Sequence, residues 1–201
     1  MKIFVYGDSN TWGYVPTLNL YDGNDNNTLR YKKEELWWYP LTKKHEVFVS
    51  GVNGRTINND HPIYSGKNGM KTIDKDFPKT EIDLVIIMLG TNDLKDIYHL
   101  KTIDIIDNMD KLIKRINKNN QSDFLLICPP LIIDTVITKE NYSNGVEKIK
   151  DYHLNLKNYC DKQGFKFISA INCEVGVDGE HLTLKGHKDL SKLLLDILDN
   201  K

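Results

Sequence analysis

Long apolar runs are missing from this chain. The longest, residues 84–89, has six members, against the about 20 that a membrane-spanning helix needs. The apolar stretch at the N-terminus, residues 3–6, is shorter than the roughly 7–15 residues of a signal-peptide core, so the chain reads as cytoplasmic, with no membrane partner. Cysteine is scarce: Cys128, Cys160 and Cys173. An odd set with no C-x-x-C spacing fits reduced, structural thiols better than a disulfide framework or a zinc site. A surplus of either charge is also lacking. Lys plus Arg number 27 and Asp plus Glu 28, a formal net charge of −1, whereas a nucleic-acid binder would show a basic excess or patch. Arginine is rare within that total, with only Arg30, Arg55 and Arg115 against 24 Lys. Several cofactor and metal signatures are absent. There is no G-x-G-x-x-G and no P-loop, and His45-Glu46 is not continued into H-E-x-x-H. Asp22, Asn24 and Asn26 begin a calcium-loop spacing, but Asn27 stands where Gly is required and Lys33 where Glu is required. No cofactor and no metal are therefore expected.

What is present is a repeating order of elements. Apolar segments at residues 2–6, 46–50, 84–89, 124–128 and 165–169 are short, rich in Val, Ile, Leu and Phe, and not strictly alternating. Strands buried on both faces read this way. Between them, residues 100–117 carry Ile103, Ile106, Met109, Leu112, Ile113 and Ile116 at helical spacing, and residues 146–162 and 184–198 also read as helices. The last places Leu190, Leu193, Leu194 and Ile197 on one face, with Thr183 as its N-cap. Strands alternating with helices predict an α/β fold with one parallel sheet covered on both sides. No repeat or linker interrupts residues 1–201, so a single domain is expected. The polar stretch 17–35 reads as a long loop.

In open parallel sheets, ligands bind outside the carboxyl ends of the strands, so the residues after each apolar segment carry the functional argument. After the first comes Gly7-Asp8-Ser9, with Ser9 at a strand-to-helix turn and Asp8 expected to hydrogen-bond that turn. After the second comes Gly51-Val52-Asn53-Gly54-Arg55 and after the third Gly90-Thr91-Asn92-Asp93. Before the last helix stands Asp178-Gly179-Glu180-His181. Each block alone has a plain reading as a turn, a cap or a surface pair. Together, on one rim, they supply a nucleophile, a base, a group to orient the base, and donors for a tetrahedral oxyanion.

These four ordered blocks resemble those of the SGNH (GDSL-type) hydrolases. Gly-Asp-Ser-x-Thr-Trp-Gly from Gly7, Arg30-Tyr31, Gly51-x-x-Gly-Arg-Thr, the segment 84–95 ending Gly-Thr-Asn-Asp-Leu-Lys, and Asp178-Gly-x-His-Leu-Thr-x-x-Gly-His187 are similar to the arylesterase and acyltransferase branch. The resemblance implies a three-layer α/β/α, flavodoxin-like fold with a five-stranded parallel sheet. It implies a serine esterase acting on short-chain carboxylic esters, with acyl transfer to an alcohol, sugar deacetylation or mere carbohydrate binding as alternatives. Ser9 would be the nucleophile, His181 the base and Asp178 its orienting group. The oxyanion hole would be formed by Ser9, Gly54 and Asn92, and Trp12, Arg55 and Thr91 would line the substrate pocket. G-x-S-x-G is absent, since Thr11 follows Ser9 where Gly would stand, so the elbow differs from that of α/β-hydrolases. Trp37-Trp38-Tyr39-Pro40 departs from the branch pattern and is expected near the acyl or alcohol pocket. The implied partner is a small ester, and a homo-oligomer is compatible with the chain. His187 is assigned to the last helix, and His45, His61, His99 and His153 to surface or packing roles.

Overall fold

The computed structural model describes residues 1–18, 28–118 and 120–199. Positions 22, 24 and 26 of the calcium-like spacing, and the middle of the predicted 17–35 loop, lie outside them. Five strands form one sheet: β1 (Lys2–Gly7), β2 (Glu46–Gly51), β3 (Leu84–Met88), β4 (Asp123–Cys128) and β5 (Lys166–Ser169). Every pairing is parallel and the order is β2-β1-β3-β4-β5, the flavodoxin-like order. The helices are α1 (Ser9–Trp12), α2 (Gly69–Asp76), α3 (Thr102–Asn117), α4 (Val136–Asn141), α5 (Gly145–Gln163) and α6 (Leu184–Asp199). Among the described residues, no helix is long and apolar enough to cross a membrane.

The two faces of the sheet separate by residue parity, as successive strand side chains must. Phe4, Tyr6, Val85, Ile87, Phe124 and Leu126 face α2, α3 and α5. Ile3, Val5, Leu84, Ile86, Leu125 and Ile127 face α6 and the segment around Trp37 and Trp38. This explains the missing alternation in the sequence: both faces are dry. The two edge strands are the exceptions. β2 is only half-buried, with Val49 exposed, and in β5 only Ile168 is buried, so the expectation of burial on both faces fails there.

Helical periodicity was misjudged at two positions. Ile103 is 53% exposed and Leu193 42% exposed. The buried stripes run through Ile105, Ile106, Met109, Leu112, Ile113 and Ile116 in α3 and through Leu190, Leu194 and Leu198 in α6, so each outlier falls just off the stripe that a 3.6-residue turn defines. Thr183 caps α6 as expected, its Oγ1 accepting from Gly186 N at 3.1 Å. α2 and α4 were not anticipated; at eight and six residues they are too short for periodicity to stand out.

The strand order reverses between the neighbouring strands β1 and β3: the chain passes from β1 to β2 on one side and from β3 to β4 on the other. The crevice at such a switch point is where ligands bind in open α/β sheets. The segments after β1 and β3 begin with Asp8-Ser9 and Leu89-Gly90-Thr91-Asn92.

Candidate active site

Ser9 opens α1, a helix of only four residues, with Asp8 as N-cap accepting from Asn10 N at 3.0 Å. So short a helix cannot hold itself together, and its neighbours fasten it. Trp37 Nε1 donates to Asn10 O at 3.1 Å and Trp38 Nε1 to Thr11 O at 3.0 Å. Gly7 leaves room for this turn: a Cβ there would stand 2.0 Å from Thr11 Oγ1. Trp37 and Trp38 are therefore core side chains that staple the segment bearing Ser9.

His181 reaches Ser9 across 172 positions of sequence. Its Nε2 lies 2.8 Å from Ser9 Oγ and its Nδ1 2.8 Å from Asp178 Oδ2. The tight turn expected from the Asp-x-x-His spacing is present: Asp178 Oδ1 accepts from His181 N at 3.1 Å and Glu180 N at 3.3 Å. With Asp178 as acceptor, Nδ1 carries the ring proton and Nε2 is left to accept from the Ser9 hydroxyl. Burial works to lower the imidazole pKa, but the Asp178 hydrogen bond and the charges of Glu180, Asp178 and Asp8 outweigh it, and the net shift is upward. Burial likewise works to raise Asp178, and its bonds to His181 bring it below the usual carboxylate value. Tyr14 stacks on the imidazole, ring centroids 4.2 Å apart.

Sequence reasoning missed Asn10. Its side chain donates through Nδ2 to Glu180 O at 3.2 Å and accepts through Oδ1 from Leu182 N at 2.8 Å. The residue next to the nucleophile thus clamps the main chain on both sides of His181. Only its position beside Ser9 could have flagged it.

Gly54 has φ +74, a left-handed conformation that favours glycine. Space is not the reason, since a Cβ there would meet nothing closer than Lys67 Cδ at 3.9 Å. The loop is held from below by Asp93, whose carboxylate accepts from Ile57 N at 3.0 and 3.1 Å and from Asn59 Nδ2 at 2.9 Å. Burial pushes Asp93 up to about 7 and Asp8 up to about 6. Asn92 Nδ2 donates to Arg55 O at 3.1 Å, tying the turn after β3 to the loop after β2.

A cavity of about 290 Å³ opens onto His181, Gly54 and Tyr14, with His61, Lys67, Lys95 and Glu180 among its walls. A larger hollow, about 810 Å³, lies at the amino ends of β3, β4 and β5, far from the Ser9–His181 pair and without a nucleophile–base couple in its lining. The three residues expected to line the substrate pocket do not reach the cavity. Arg55 is 0% exposed. Its guanidinium donates to Gly7 O, Ser50 O, Ser50 Oγ and Asp76 Oδ2 at 2.7–3.0 Å, with Tyr6 beneath it. It is a structural strut, and it pairs with Asp76. Trp12 is covered by the Arg30 guanidinium, 4.7 Å from its ring centroid, and Thr91 is buried at the start of the Asn92 turn. Conversely His61, read as a surface residue, lines the cavity.

Fold and site thus define a hydrolase-type rim on a flavodoxin-like sheet. A profile of the GDSL-like lipase/acylhydrolase family matches residues 5–196, and the chain belongs to that family, the SGNH-type carboxylic ester hydrolases. No curated protein matches it. Among solved structures, a carbohydrate acetylesterase from Sinorhizobium meliloti is similar at 27% identity, with TM-score 0.84 and 98% of each chain covered. The native aryl esterase of M. smegmatis follows at 26% identity and TM-score 0.83, again covering 98% of each chain. A putative arylesterase from Agrobacterium tumefaciens shares the fold at 24% identity and TM-score 0.80, covering 99% of this chain and 98% of its own.

Proposed function

We propose that the chain is a serine esterase that cleaves short-chain esters through a covalent acyl-enzyme, with acetyl esters of sugars among its candidate substrates. The observation that carries this reading is the unbroken chain Ser9 Oγ, His181 Nε2, His181 Nδ1, Asp178 Oδ2, with both links at 2.8 Å. Ser9 Oγ attacks the ester carbonyl carbon while its proton passes to His181 Nε2, and Asp178 stabilises the imidazolium that forms. The carbonyl oxygen, now an anion, is met by the backbone N–H groups of Ser9 and Gly54 and by the Asn92 amide, whose orientation is set by its bond to Arg55 O. Removing one such donor generally costs about 2.7–4 kcal/mol of transition-state stabilisation. The intermediate collapses, the alcohol leaves with the proton from His181, and water repeats the sequence in reverse to release the acid. An alcohol in place of water would make the same site an acyltransferase. The cavity of about 290 Å³ favours small substrates, and the carbohydrate acetylesterase and aryl esterase among the similar structures suit that size.

The test is Ser9→Ala assayed on p-nitrophenyl acetate, with a loss of at least about 10³-fold expected. Near wild-type turnover would end the proposal. A series of p-nitrophenyl esters from acetate to octanoate checks the size limit: activity is expected to drop past butyrate, and a maximum at octanoate would contradict it.

A further inference from the structure

Glu180 occupies the unspecified position of the Asp178-Gly-x-His signature. It is half-buried, next to His181 and on the wall of the same cavity. Three hydrogen bonds fix it. Its N–H donates to Asp178 Oδ1 at 3.3 Å, and its carbonyl accepts from Asn10 Nδ2 at 3.2 Å. Its side-chain Oε2 accepts the Tyr142 hydroxyl at 2.6 Å. Tyr142 is held in turn. It is 3% exposed, and its N–H donates to Thr138 O at 2.8 Å where α4 ends. Burial, then the charge of Glu180, raises its phenol well above the ordinary value, so the hydroxyl stays protonated and donates. A tie between α4 and the His181 loop needs only an acceptor, which a glutamine would supply. The carboxylate adds a charge beside the imidazole.

That charge acts on His181. Burial lowers the imidazole pKa; against it work the Asp178 hydrogen bond, then the charge of Glu180, then those of Asp178 and Asp8. Tyr14 stacks on the ring, and His187 of α6 lies within electrostatic reach of it. Around the cavity stand Lys67, Lys95, His61 and Glu140, with Lys95 Nζ 5.9 Å from the Tyr142 ring centroid.

We propose that Glu180 is a positioning residue for the base: a second carboxylate, fixed by Tyr142, that stabilises the imidazolium of His181 through space while Asp178 does so through Nδ1. This rests on the esterase reading above. When the Ser9 proton passes to His181 Nε2, a positive charge appears on a ring enclosed by Tyr14 and its own loop. Asp178 is committed to Nδ1 and to two backbone N–H groups. Glu180 already has its carboxylate oriented, so the new charge is met without rearrangement, the condition under which electrostatic stabilisation is most effective. The site is partly closed, so this attraction is screened less than on open surface.

Two variants separate the charge from the hydrogen bond. Glu180→Gln keeps an acceptor for Tyr142 and removes the charge. Tyr142→Phe removes the donor and keeps the charge. The readouts are the NMR titration of the His181 imidazole, its signals identified by their loss in His181→Gln, and the pH profile of kcat/KM on p-nitrophenyl acetate. Glu180→Gln is expected to move the His181 titration and the acid limb to lower pH. Its plateau kcat/KM should fall about two- to fivefold, the usual effect of one partly screened charge pair. Tyr142→Phe should move the titration and the limb less. A merely structural tie predicts the reverse order, because only Tyr142→Phe breaks it. A larger shift in Tyr142→Phe than in Glu180→Gln, or an unmoved titration in Glu180→Gln, would overturn the proposal. The NMR titration needs no turnover. If no ester is cleaved and Glu180→Gln still lowers the His181 titration, the charge coupling stands and the esterase mechanism falls. If esters are cleaved and the titration does not move, the mechanism stands and the role of Glu180 falls.

Discussion

His181 shows how single residues are set against their surroundings. Burial alone would lower its pKa, and a carboxylate hydrogen bond with three nearby acidic charges reverses the sign. In the proposed mechanism the neutral ring is the base, so the acid limb of kcat/KM is expected to have its midpoint above the ordinary 6.5 of histidine. Asp178→Asn removes the raising influence and the tautomer control together: the limb should move to lower pH and kcat fall by on the order of 10⁴. A pH–rate profile of both proteins on p-nitrophenyl acetate checks this, and an unmoved limb would contradict it. His187 is the opposite case. It is 0% exposed, neither ring nitrogen has a hydrogen-bond partner among the described residues, and burial, helped by the His181 charge, brings it down to about 4. Because the folded pKa is depressed, the unfolded chain takes up a proton that the folded chain refuses as pH falls through 6.5. Stability is lost between about 6.5 and 4, by about 3 kcal/mol from this residue. Asp8 and Asp93, whose folded values are raised to about 6 and about 7, contribute with the opposite sign over much the same range, as pH falls from those values to the ordinary carboxylate value, so the residue is read by difference. Urea midpoints of wild type and His187→Leu should diverge in slope across that window, and parallel curves would refute the assignment.

Among the elements, α1 carries Ser9, the proposed nucleophile, yet has too few residues to be stable alone. Its carbonyls are held by two indoles from a segment more than twenty residues away. Trp38→Phe keeps most of the ring volume and leaves Thr11 O without that donor. It is expected to destabilise the fold by about 1–3 kcal/mol, read as a lower urea midpoint, with a disproportionate drop in kcat because Ser9 sits on the loosened turn. The strands were legible because their signal is local: a dry strand is a short apolar run wherever it lies, and the boundaries of β3 and β5 shifted by one residue only. Three of the four rim blocks were legible because each directly follows a strand, and topology gathers strand ends; the fourth, Asp178 to His181, stood out by its spacing just before α6. The side chains lining the cavity were not legible. Arg55 stood out by rarity and by its neighbour Gly54, but its fate depended on Asp76, Ser50 and Gly7 converging beneath it, which nothing in its own segment announces. Asn10 was overlooked for the same reason, since its partners on the His181 loop are distant in sequence, and His61 because the cavity it lines is walled by segments as far off as Glu140 and His181.

For the whole molecule, the even balance of acids and bases carries over into the cavity, where Lys67 and Lys95 stand among Glu140, Asp178 and Glu180. Net charge describes long-range behaviour; local arrangement decides recognition. The cysteines also behave as a set. Cys128, Cys160 and Cys173 are all buried and free, and burial pushes each thiol up, Cys160 to about 12 and Cys173 to about 11. Since the thiolate is the reactive form, the native protein should show no fast reaction with Ellman's reagent and three equivalents once unfolded in urea; rapid native labelling would contradict the packing. Finally, the Asn10 clamp makes one mechanical body out of two ends of the chain. The serine and the loop bearing its base share a frame, so thermal motion carries both together and the gap between Oγ and Nε2 stays narrow even as the surrounding rim breathes. Precision at this site comes from a tie between the moving parts, and does not require either loop to be stiff.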